Sequence, residues 1–366
     1  MNRTAEIAGA GFAGLTVATE LARRGWRVRV HEQSPEPRAF GAGIFLWENG
    51  LQVLNELGAT DRALSRYHEA SLWEECDSAG SQLGTRPFPL PGGLRMITLT
   101  RQDLFEALHE QAVAAGVEIR TGSRAIAAGR DGELVTADGR RWTADLVVGA
   151  DGIRSAVRDS LGLLDEHQVF DFGLYRFLVP LDRAPGRDGR WRNYVNYWNI
   201  ARKRRVLYVP CNTEDLYLLL GATADDSALR LPLDPAVWTA SFPTLEPVLA
   251  ELPEAPRYDR YEVVRLTRWS AGRVAIVGDA AHAMPPTIGQ GAGTAMMNAL
   301  NLARIVAAGA DVELALDTWE TENRGLTEHT QRESVTAVHD LFPQAGETRD
   351  EWREDTLVVA KNVPKP

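Results

Sequence analysis

Turns that combine glycines with an acidic residue are the parts of this sequence whose types and spacing could do chemistry. The first, Gly9-x-Gly11-x-x-Gly14, follows a short apolar run, and Glu32 comes after the next apolar run. In this pattern the first glycine makes a tight turn, the second lets the backbone approach a pyrophosphate, and the third lets a helix pack on a strand. The N–H groups at the start of that helix attract phosphate. The pattern therefore predicts a dinucleotide site in which Glu32 binds a ribose, without distinguishing NAD from FAD.

Two more such turns follow later apolar runs. One is Asp151-Gly152, and the other is Gly278-Asp279. Taken singly, the first is equally typical of a hairpin turn, and the second of a strand end that caps a helix. A further helix is predicted to begin near Gly291. Three turns in this order favour a functional role over three unrelated structural turns.

Hydrophobic periodicity predicts the elements that must position these turns. Helices are predicted over residues 15–24, 49–57, 101–115, 291–306 and 314–341. Strands are predicted over residues 27–31, 71–77, 82–88, 117–127, 133–136, 141–143, 146–149, 175–181, 194–199, 206–211, 216–221 and 273–277. Residues 35–44 are predicted as a loop, because they combine prolines with glycines. The pairs Asp131-Gly132 and Asp138-Gly139 predict two tight hairpins.

Composition and charge exclude several classes of function. The formal net charge is −10, so neither a nucleic acid nor an anionic membrane is expected as a partner. The first glycine turn begins too near Met1 for a signal peptide, and no apolar run is long enough to cross a membrane, so we expect a cytoplasmic protein. Cys76 and Cys211 form no Cys-x-x-Cys pair and are expected to be buried thiols. The histidines lack metal-ligand spacing, and no metal site is predicted.

The three turns, taken with Glu32, resemble the flavoprotein aromatic monooxygenases of the para-hydroxybenzoate hydroxylase type over about residues 4–330. The resemblance implies that the protein binds FAD and that NADH or NADPH reduces it. Molecular oxygen would then form a flavin C4a-hydroperoxide that hydroxylates a small aromatic substrate. The implied cofactor-binding residues are Gly9, Gly11, Phe12, Ala13, Gly14, Glu32, Gln33, Arg38, Gly43, Arg101, Asp151, Gly152, Gly278, Asp279, Gly289, Gly291 and Ala292. Among them, Asp279 would accept hydrogen bonds from the ribityl chain.

A closer resemblance rests on residues 5–15, 38–47 and 207–217. These stretches resemble oxygenases of the family that hydroxylate and open a pyridine carboxylic acid. This resemblance places Arg176, Arg205 and Tyr217 in the substrate pocket, and Pro286 beside the oxygen-reacting face of the flavin. An arginine can bind a carboxylate or phenolate with two hydrogen bonds, and a tyrosine can bind a ring hydroxyl or nitrogen. Strand arginines and tyrosines are, alternatively, often solvated or packing residues.

The implied fold class is α/β. It combines a discontinuous Rossmann-like FAD-binding domain with an inserted antiparallel β-sheet substrate domain and C-terminal helices. The predicted FAD-binding domain comprises residues 1–70, 97–168 and 266–342, the substrate domain comprises residues 71–96 and 169–265, and residues 343–366 form a tail.

We therefore expect a monooxygenase that acts on a small anionic hydroxylated aromatic or pyridine carboxylic acid, by hydroxylation alone or with ring opening. Two alternatives stay open: hydroxylation of a larger natural-product scaffold, and a redox-inactive FAD-binding scaffold. Trp73 stands where the pyridine oxygenases have a tyrosine, and its indole could stack on a larger or different substrate ring. The protein is expected to be a monomer or a homodimer.

Overall fold

The computed structural model describes residues 3–36, 42–90, 93–183, 189–250, 252 and 256–342. The strands are β1 Thr4–Ala8, β2 Arg27–His31, β3 Gly43–Trp47, β4 Leu72–Asp77, β5 Gln82–Pro87, β6 Met96–Thr100, β7 Glu118–Arg120, β8 Ala125–Gly129, β9 Glu133–Thr136, β10 Arg141–Thr143, β11 Leu146–Gly149, β12 Leu164–Pro180, β13 Tyr194–Asn199, β14 Arg204–Pro210, β15 Asp215–Ala222, β16 Arg257–Leu266, β17 Ser270–Ala271 and β18 Val274–Ile276. The helices are α1 Phe12–Arg23, α2 Glu48–Glu56, α3 Thr60–Ala63, α4 Arg101–Ala114, α5 Ala156–Ser160, α6 Pro235–Thr239, α7 Glu246–Leu249, α8 Asp279–His282, α9 Gly291–Ala308 and α10 Val312–His339.

The first sheet places the three glycine turns side by side. Its strand order is β17-β18-β11-β1-β2-β7, and every neighbouring pair is parallel except β17 and β18. The buried, apolar character of β11 and β18 is what a parallel sheet covered on both faces requires. Because β1, β11 and β18 are adjacent and parallel, the turns that follow them open at the same edge of the sheet.

The second sheet is large and mostly antiparallel, with the order β16-β12-β15-β14-β13-β4-β5. Only β13 and β4 run parallel in it. One face packs on a cluster that includes Trp238 and Phe242 from the α6–α7 region. The other face is rich in aromatic side chains and packs against β3, β6 and the end of α10. This aromatic face is therefore the face directed toward the first sheet and its turns.

The antiparallel pair β3–β6 connects the two sheets. A Cβ atom at Gly43 would lie 2.5 Å from both Cys211 Sγ and Tyr217 Cβ, so a glycine is needed for β3 to pass this close to β15. The Thr98 hydroxyl on β6 donates a hydrogen bond of 2.6 Å to the Pro210 carbonyl at the end of β14. These contacts set the distance between the aromatic face and the glycine turns.

The predicted fold class is confirmed, including both tight hairpins of the three-stranded sheet β8–β9–β10. The residue boundaries of the two domains stay a prediction, and β12 crosses one of them because it begins at Leu164. The predicted tail and Arg38 lie outside the described residues. In the ranges that the structure describes, no helix has the length and apolarity to cross a membrane.

Two predictions of secondary structure were wrong. Residues 117–127 form no single strand, because Gly122, at φ 63°, breaks the run. The first part becomes β7 at the edge of the parallel sheet, and the second becomes β8. The predicted loop at residues 35–44 also ends too late, since β3 begins at Gly43 and pairs with β6. β7 pairs with β2 and β3 pairs with β6, both of which are distant in sequence, and local periodicity carries no information about such partners.

We expect Gly43→Ala to destabilise the protein. The added methyl group would displace Cys211 or Tyr217, and overpacking of this kind costs about 1–3 kcal/mol. Gly84→Ala is the matched control, because a Cβ atom at Gly84 on β5 meets no atom within 4 Å. Denaturant unfolding should show a lower free energy of unfolding for Gly43→Ala and, for Gly84→Ala, a change of that free energy within about 0.5 kcal/mol. Equal stability of the two variants would contradict the tight junction at Gly43.

Candidate active site

The first glycine turn leaves space for a ligand at one glycine only. Gly9 has φ 99°, and a Cβ atom there would overlap the Ala150 carbonyl oxygen. A Cβ atom at Gly14 would overlap the Gly9 carbonyl oxygen, so this glycine serves the packing of α1 on β1. Gly11, in contrast, has no atom of the described residues within 4 Å of its Cβ position, and none of their side chains caps α1. The free N–H groups and open space at Gly11 fit the close approach of a pyrophosphate.

The residues around this turn are arranged for a nucleotide. Glu32 accepts hydrogen bonds from the backbone N–H groups of Ala10 (3.0 Å) and Ser34 (2.8 Å), which fixes its carboxylate beside the turn while leaving acceptor capacity. Gln33 is exposed. The Arg101 guanidinium lies 5.0 Å from the centre of the half-buried Phe12 ring. This cation–π contact places a positive charge next to the start of α1.

The second turn uses its acid within the protein. The Asp151 carboxylate accepts hydrogen bonds from the Ser155 hydroxyl and, at 3.2 Å, from the Val157 N–H at the start of α5. Burial raises the pKa of Asp151, although these hydrogen bonds oppose the shift. A Cβ atom at Gly152, which has φ 83°, would meet nothing within 4 Å. Any contact of this turn with a cofactor would therefore come from the open backbone around Gly152.

Buried Arg158 connects the second turn to the third. Its Nη1 atom donates to the Ile153 carbonyl (2.9 Å) and to the Ala280 carbonyl (3.2 Å). Ala280 belongs to α8, which begins directly after the Gly278 turn. The guanidinium thus locks the ends of β11 and β18 together, as the wall of a single site requires.

Asp279 is the acid that has no partner among the described residues. Protein surrounds it on most sides and burial raises its pKa, while Arg101 and Arg176 oppose the shift. Its side chain is nevertheless exposed, so it lies in a deep cleft and not in the packed core. No described residue donates a hydrogen bond to its carboxylate. An unpartnered acceptor in a cleft fits the hydroxyl groups of a ribityl chain.

The helix α9 begins at the same cleft. Gly289 adopts φ 66° and lies under Phe45 and Trp47, whose Nε1 atom donates to the Ile288 carbonyl (3.1 Å). α9 then starts at Gly291 without a side-chain cap, and both Gly291 and Ala292 are only partly buried. Free N–H groups at a helix start favour negative charge, which fits the pyrimidine edge of a reduced flavin.

Of the other predicted residues on this side of the cleft, Pro286 is exposed in the short turn before α9. Ala13 is buried, and a Cβ atom at Gly278 would lie 3.0 Å from its Cβ atom, so α1 and the third turn are in contact. Gly43 lies against Tyr217 at the junction of the two sheets. This packing gives a structural reason for the glycine, in addition to the predicted contact with the cofactor.

The three predicted substrate residues share one face of the second sheet. Tyr217 pairs across strands with Val209, Arg176 with Leu219, and Arg205 with Gly221. Positions two apart on one strand, and cross-strand partners, point to the same side. Arg176, Arg205 and Tyr217 therefore all lie on the aromatic face, on β12, β14 and β15.

These three side chains differ in how far other residues of the protein satisfy their charges and hydrogen-bonding groups. Arg176 forms an ion pair of 3.4 Å with Asp259. Burial lowers the pKa of Arg176, but Tyr217, Asp259 and further neighbouring groups together raise it above its ordinary value. Burial raises the pKa of Tyr217, with the two arginines opposing, so its hydroxyl stays protonated at neutral pH. Arg205 is only 3% exposed, yet its one hydrogen-bond partner among the described residues is the neutral Asn196 (2.9 Å). No described carboxylate lies within ion-pair distance of Arg205.

Sequence reasoning missed the residues that support these side chains. Asp259 holds Arg176, and Glu75 and Asn196 lie beside Trp73 and Trp198 on the same face. The alternation within each strand is visible in the sequence, since Glu75 follows Trp73 by two positions. The register between strands is not visible, and it decides which of these side chains meet.

His282 lies on α8 beside the cleft but packs into the core. Its ring packs at a tilt against Trp269, with 5.3 Å between ring centres, and Asn298 Nδ2 lies 3.1 Å from its Nε2 atom. Burial lowers the pKa of His282 to about 4. The ring is therefore neutral at pH 7 and serves packing.

We expect His282→Gln to reduce the loss in the free energy of unfolding that accompanies a fall in pH below about 7. An unfolded histidine gains a proton near pH 6.5, whereas the buried ring resists protonation until about pH 4, so the wild type loses stability as the pH falls through this range. Between pH 7 and pH 4 the wild type should lose on the order of 3 kcal/mol more than the variant. Denaturant unfolding at both pH values measures this difference, and parallel profiles would contradict it.

We expect Gly11→Ala to weaken FAD binding far more than it weakens the apoprotein. The added methyl group meets no protein atom, so the loss of stability should stay below about 1 kcal/mol, the cost of alanine at a helix N-cap. FAD affinity should fall by at least about tenfold, because the methyl group occupies the space for the pyrophosphate. Fluorescence titration of the apoprotein with FAD measures this change. Gly14→Ala is the contrast, since it should lower apoprotein stability directly.

Comparison with known proteins agrees with this geometry. A family profile described as "FAD binding domain" matches residues 3–334. The 2-heptyl-3-hydroxy-4(1H)-quinolone synthase of Mycobacteroides abscessus is 43% identical over 335 residues, which cover 90% of this chain and 88% of that protein. The 6-hydroxynicotinate 3-monooxygenase of Bordetella bronchiseptica is 29% identical, covering 82% of this chain and 81% of that protein.

A solved structure is similar over the full length. A variant of 2-methyl-3-hydroxypyridine-5-carboxylic acid oxygenase superposes with a TM-score of 0.91 at 42% identity, covering 100% of this chain and 98% of that chain. The predicted resemblance to this group of oxygenases is thereby confirmed. The chain belongs to the FAD-binding-domain family and is a flavoprotein aromatic monooxygenase that uses FAD with NAD(P)H.

Proposed function

We propose that this monooxygenase hydroxylates a small anionic ring, a hydroxylated aromatic or N-heteroaromatic acid, that Arg205 holds over the flavin. The observation that carries the proposal is the state of Arg205, a buried guanidinium with a neutral partner and no carboxylate within the described part of the chain. A buried charge is costly unless it is paired. A substrate oxyanion or carboxylate would complete the pair.

The neighbouring groups support the same substrate chemistry. Arg205 can offer its two terminal nitrogens to a carboxylate or phenolate in a bidentate arrangement. The protonated Tyr217 hydroxyl has no hydrogen-bond partner among the described residues and could donate to a ring oxygen or nitrogen. Arg176 lies two strands from Arg205 on the same face and is offset from it by two residues along the sheet, which separates their backbones by about 12 Å, so the two arginines could hold opposite ends of a small ring.

The chamber also suits oxygen chemistry. Bound FAD supplies hydride acceptance from NAD(P)H and activation of molecular oxygen, so that one oxygen atom enters the ring and the other leaves as water. The protein orients the ring and excludes water, which would release hydrogen peroxide instead. The aromatic face provides this dry wall, and buried members of it include Trp73, Tyr194, Trp198, Leu207 and Tyr217.

As part of this proposal, we assign the binding of FAD to residues of the three turns. Gly11 and Glu32 would bind the pyrophosphate and ribose, Asp279 the ribityl chain, and the start of α9 the flavin ring. Pro286 would line the oxygen-reacting face. The support is the open space at Gly11 and the unpartnered carboxylate of Asp279.

A second candidate substrate is a 4-quinolone that carries an apolar chain. The observation in its favour is the apolar, aromatic character of the substrate face, whose buried members include Phe88, Leu207 and Val209. The quinolone synthase of Mycobacteroides abscessus is similar over most of the chain. The ring oxygen of a quinolone carries partial negative charge and could use the same Arg205.

Location and assembly are proposed on separate grounds. NAD(P)H is a cytoplasmic reductant, and we place the enzyme in the cytoplasm for that reason. A monomer or homodimer stays our prediction for this chain, although 2-methyl-3-hydroxypyridine-5-carboxylic acid oxygenase has a tetrameric form.

The test is a comparison of two substrates under labelled oxygen. Purified holoenzyme receives NADH or NADPH with either 6-hydroxynicotinate or 2-heptyl-4(1H)-quinolone, and the product is analysed by mass spectrometry. We expect faster NAD(P)H oxidation and one labelled oxygen atom in the product from the acid. Preference for the quinolone would select the second candidate, and hydrogen peroxide alone from both would contradict hydroxylation.

We expect Arg205→Ala to raise the KM of an anionic substrate by about 10-fold to 150-fold, because a charge-assisted hydrogen bond contributes about 1.5–3 kcal/mol. Arg205→Lys should keep the positive charge but not the bidentate geometry. Its KM should therefore lie between those of the wild type and Arg205→Ala. FAD retention should stay unchanged in both variants. Parallel losses of FAD and substrate binding would contradict the assigned role.

A further inference from the structure

One carboxylate organises the substrate face next to Arg205. Glu75 lies on β4 directly opposite Asn196 on β13. Its Oε1 atom accepts hydrogen bonds from Trp73 Nε1 (2.6 Å) and Asn196 Nδ2 (3.1 Å), and its Oε2 atom accepts one from Trp198 Nε1. Three N–H groups from two strands therefore converge on a single side chain.

The two indoles need this acceptor. Trp73 and Trp198 are 4% and 2% exposed, and an indole N–H can only donate a hydrogen bond. A carboxylate has enough lone pairs to accept from all three donors. A glutamine would instead direct its own N–H groups at one of the indoles, which leaves a buried donor unsatisfied. Two acceptor oxygens on the Glu75 side chain are therefore a structural requirement for the orientation of both rings.

The same network reaches Arg205 through Asn196. Because Asn196 Nδ2 donates to Glu75, its Oδ1 atom is directed to Arg205 Nε, at 2.9 Å. The Arg205 guanidinium lies 4.8 Å from the centre of the Trp198 ring. Glu75 thus fixes both supports of the guanidinium, the acceptor at Nε and the ring beneath it. No acceptor among the described residues is hydrogen-bonded to the two terminal nitrogens.

We propose that Glu75 is a positioning residue for substrate binding: it holds Trp73 and Trp198 in place and, through Asn196, sets the orientation of Arg205. The proposal rests on the proposed function of Arg205 as the anchor of the substrate anion. It adds that the affinity for this anion depends on a second, negative residue that lies behind the anchor. A negative residue close to an anion site would otherwise be expected to weaken binding.

The adjacent residue on the same strand provides a matched control. Glu74 is buried, and its Oε1 atom accepts a hydrogen bond of 2.5 Å from Asn193 Nδ2. Because side chains alternate along a strand, Glu74 points to the opposite face of the sheet from Glu75. Glu74→Gln therefore removes the same charge from the same strand without touching the network of Arg205.

The experiment compares Glu75→Gln and Glu74→Gln as holoenzymes. The probe is 6-hydroxynicotinate, and its dissociation constant is measured from the change in the flavin absorption spectrum. Near-ultraviolet circular dichroism reports the orientation of the indoles, and the FAD content of each variant is measured in parallel. We expect Glu75→Gln to raise the dissociation constant about tenfold or more and to alter the indole bands, with FAD content unchanged. Glu74→Gln should leave the dissociation constant within about twofold.

Two further outcomes separate this inference from the proposed function. In an Arg205→Ala background, Glu75→Gln should have little additional effect on the dissociation constant, because the network acts through Arg205. Additive effects would overturn the inference, as would equal effects of the two glutamine variants. If the wild type does not bind the probe but the indole bands change only in Glu75→Gln, the network stands and the proposed substrate class falls.

Discussion

The structure depends on the contact between β3 and β15, where Gly43 lies against Tyr217 and Cys211. This contact holds two sheets of different kinds at a fixed distance. On one side, three parallel strands end in turns with open backbone, and on the other, an antiparallel sheet presents arginines and aromatic rings. Close packing allows only a narrow range of separations, because a gap loses contacts and an overlap costs energy steeply. This junction therefore sets the depth of the cleft between the sheets.

The charges in the cleft are arranged in partly satisfied pairs. Arg176 has Asp259, and Arg158 has backbone carbonyls, so these cations stabilise the protein itself. Asp279 and Arg205 have weaker partners or none among the described residues, although the surroundings of both are desolvated. Buried polar groups are normally satisfied within a protein, and the exceptions mark places where a ligand completes the arrangement. The acid faces the proposed cofactor, and the guanidinium faces the proposed substrate.

The glycine turns could be recognised from the sequence because their chemistry is local. Gly9, Gly11 and Gly14 lie within six residues, and the physical task of each depends on its own backbone and its immediate neighbours. The same holds for the hairpins at Gly132 and Gly139, which both adopt positive φ. Residues 117–127 were misassigned because the first half, β7, joins the parallel sheet beside the distant strand β2, whereas the second half, β8, pairs with the next strand, β9. Local pattern cannot distinguish an edge strand of a parallel sheet from the first strand of a meander.

The sequence by itself determined the cofactor class, the order of the three turns and the alternation of side chains along each strand. Only the tertiary structure decided which side chains meet, because register is set by pairing between segments that lie far apart in the chain. Glu75 and Asn196 are about 120 positions apart, and their contact follows from the register of β4 against β13. Likewise, Asp151 and Asp279 follow similar turns, but one carboxylate is used to cap a helix and the other is left open to the cleft. Packing around each turn, and not the motif, makes that distinction.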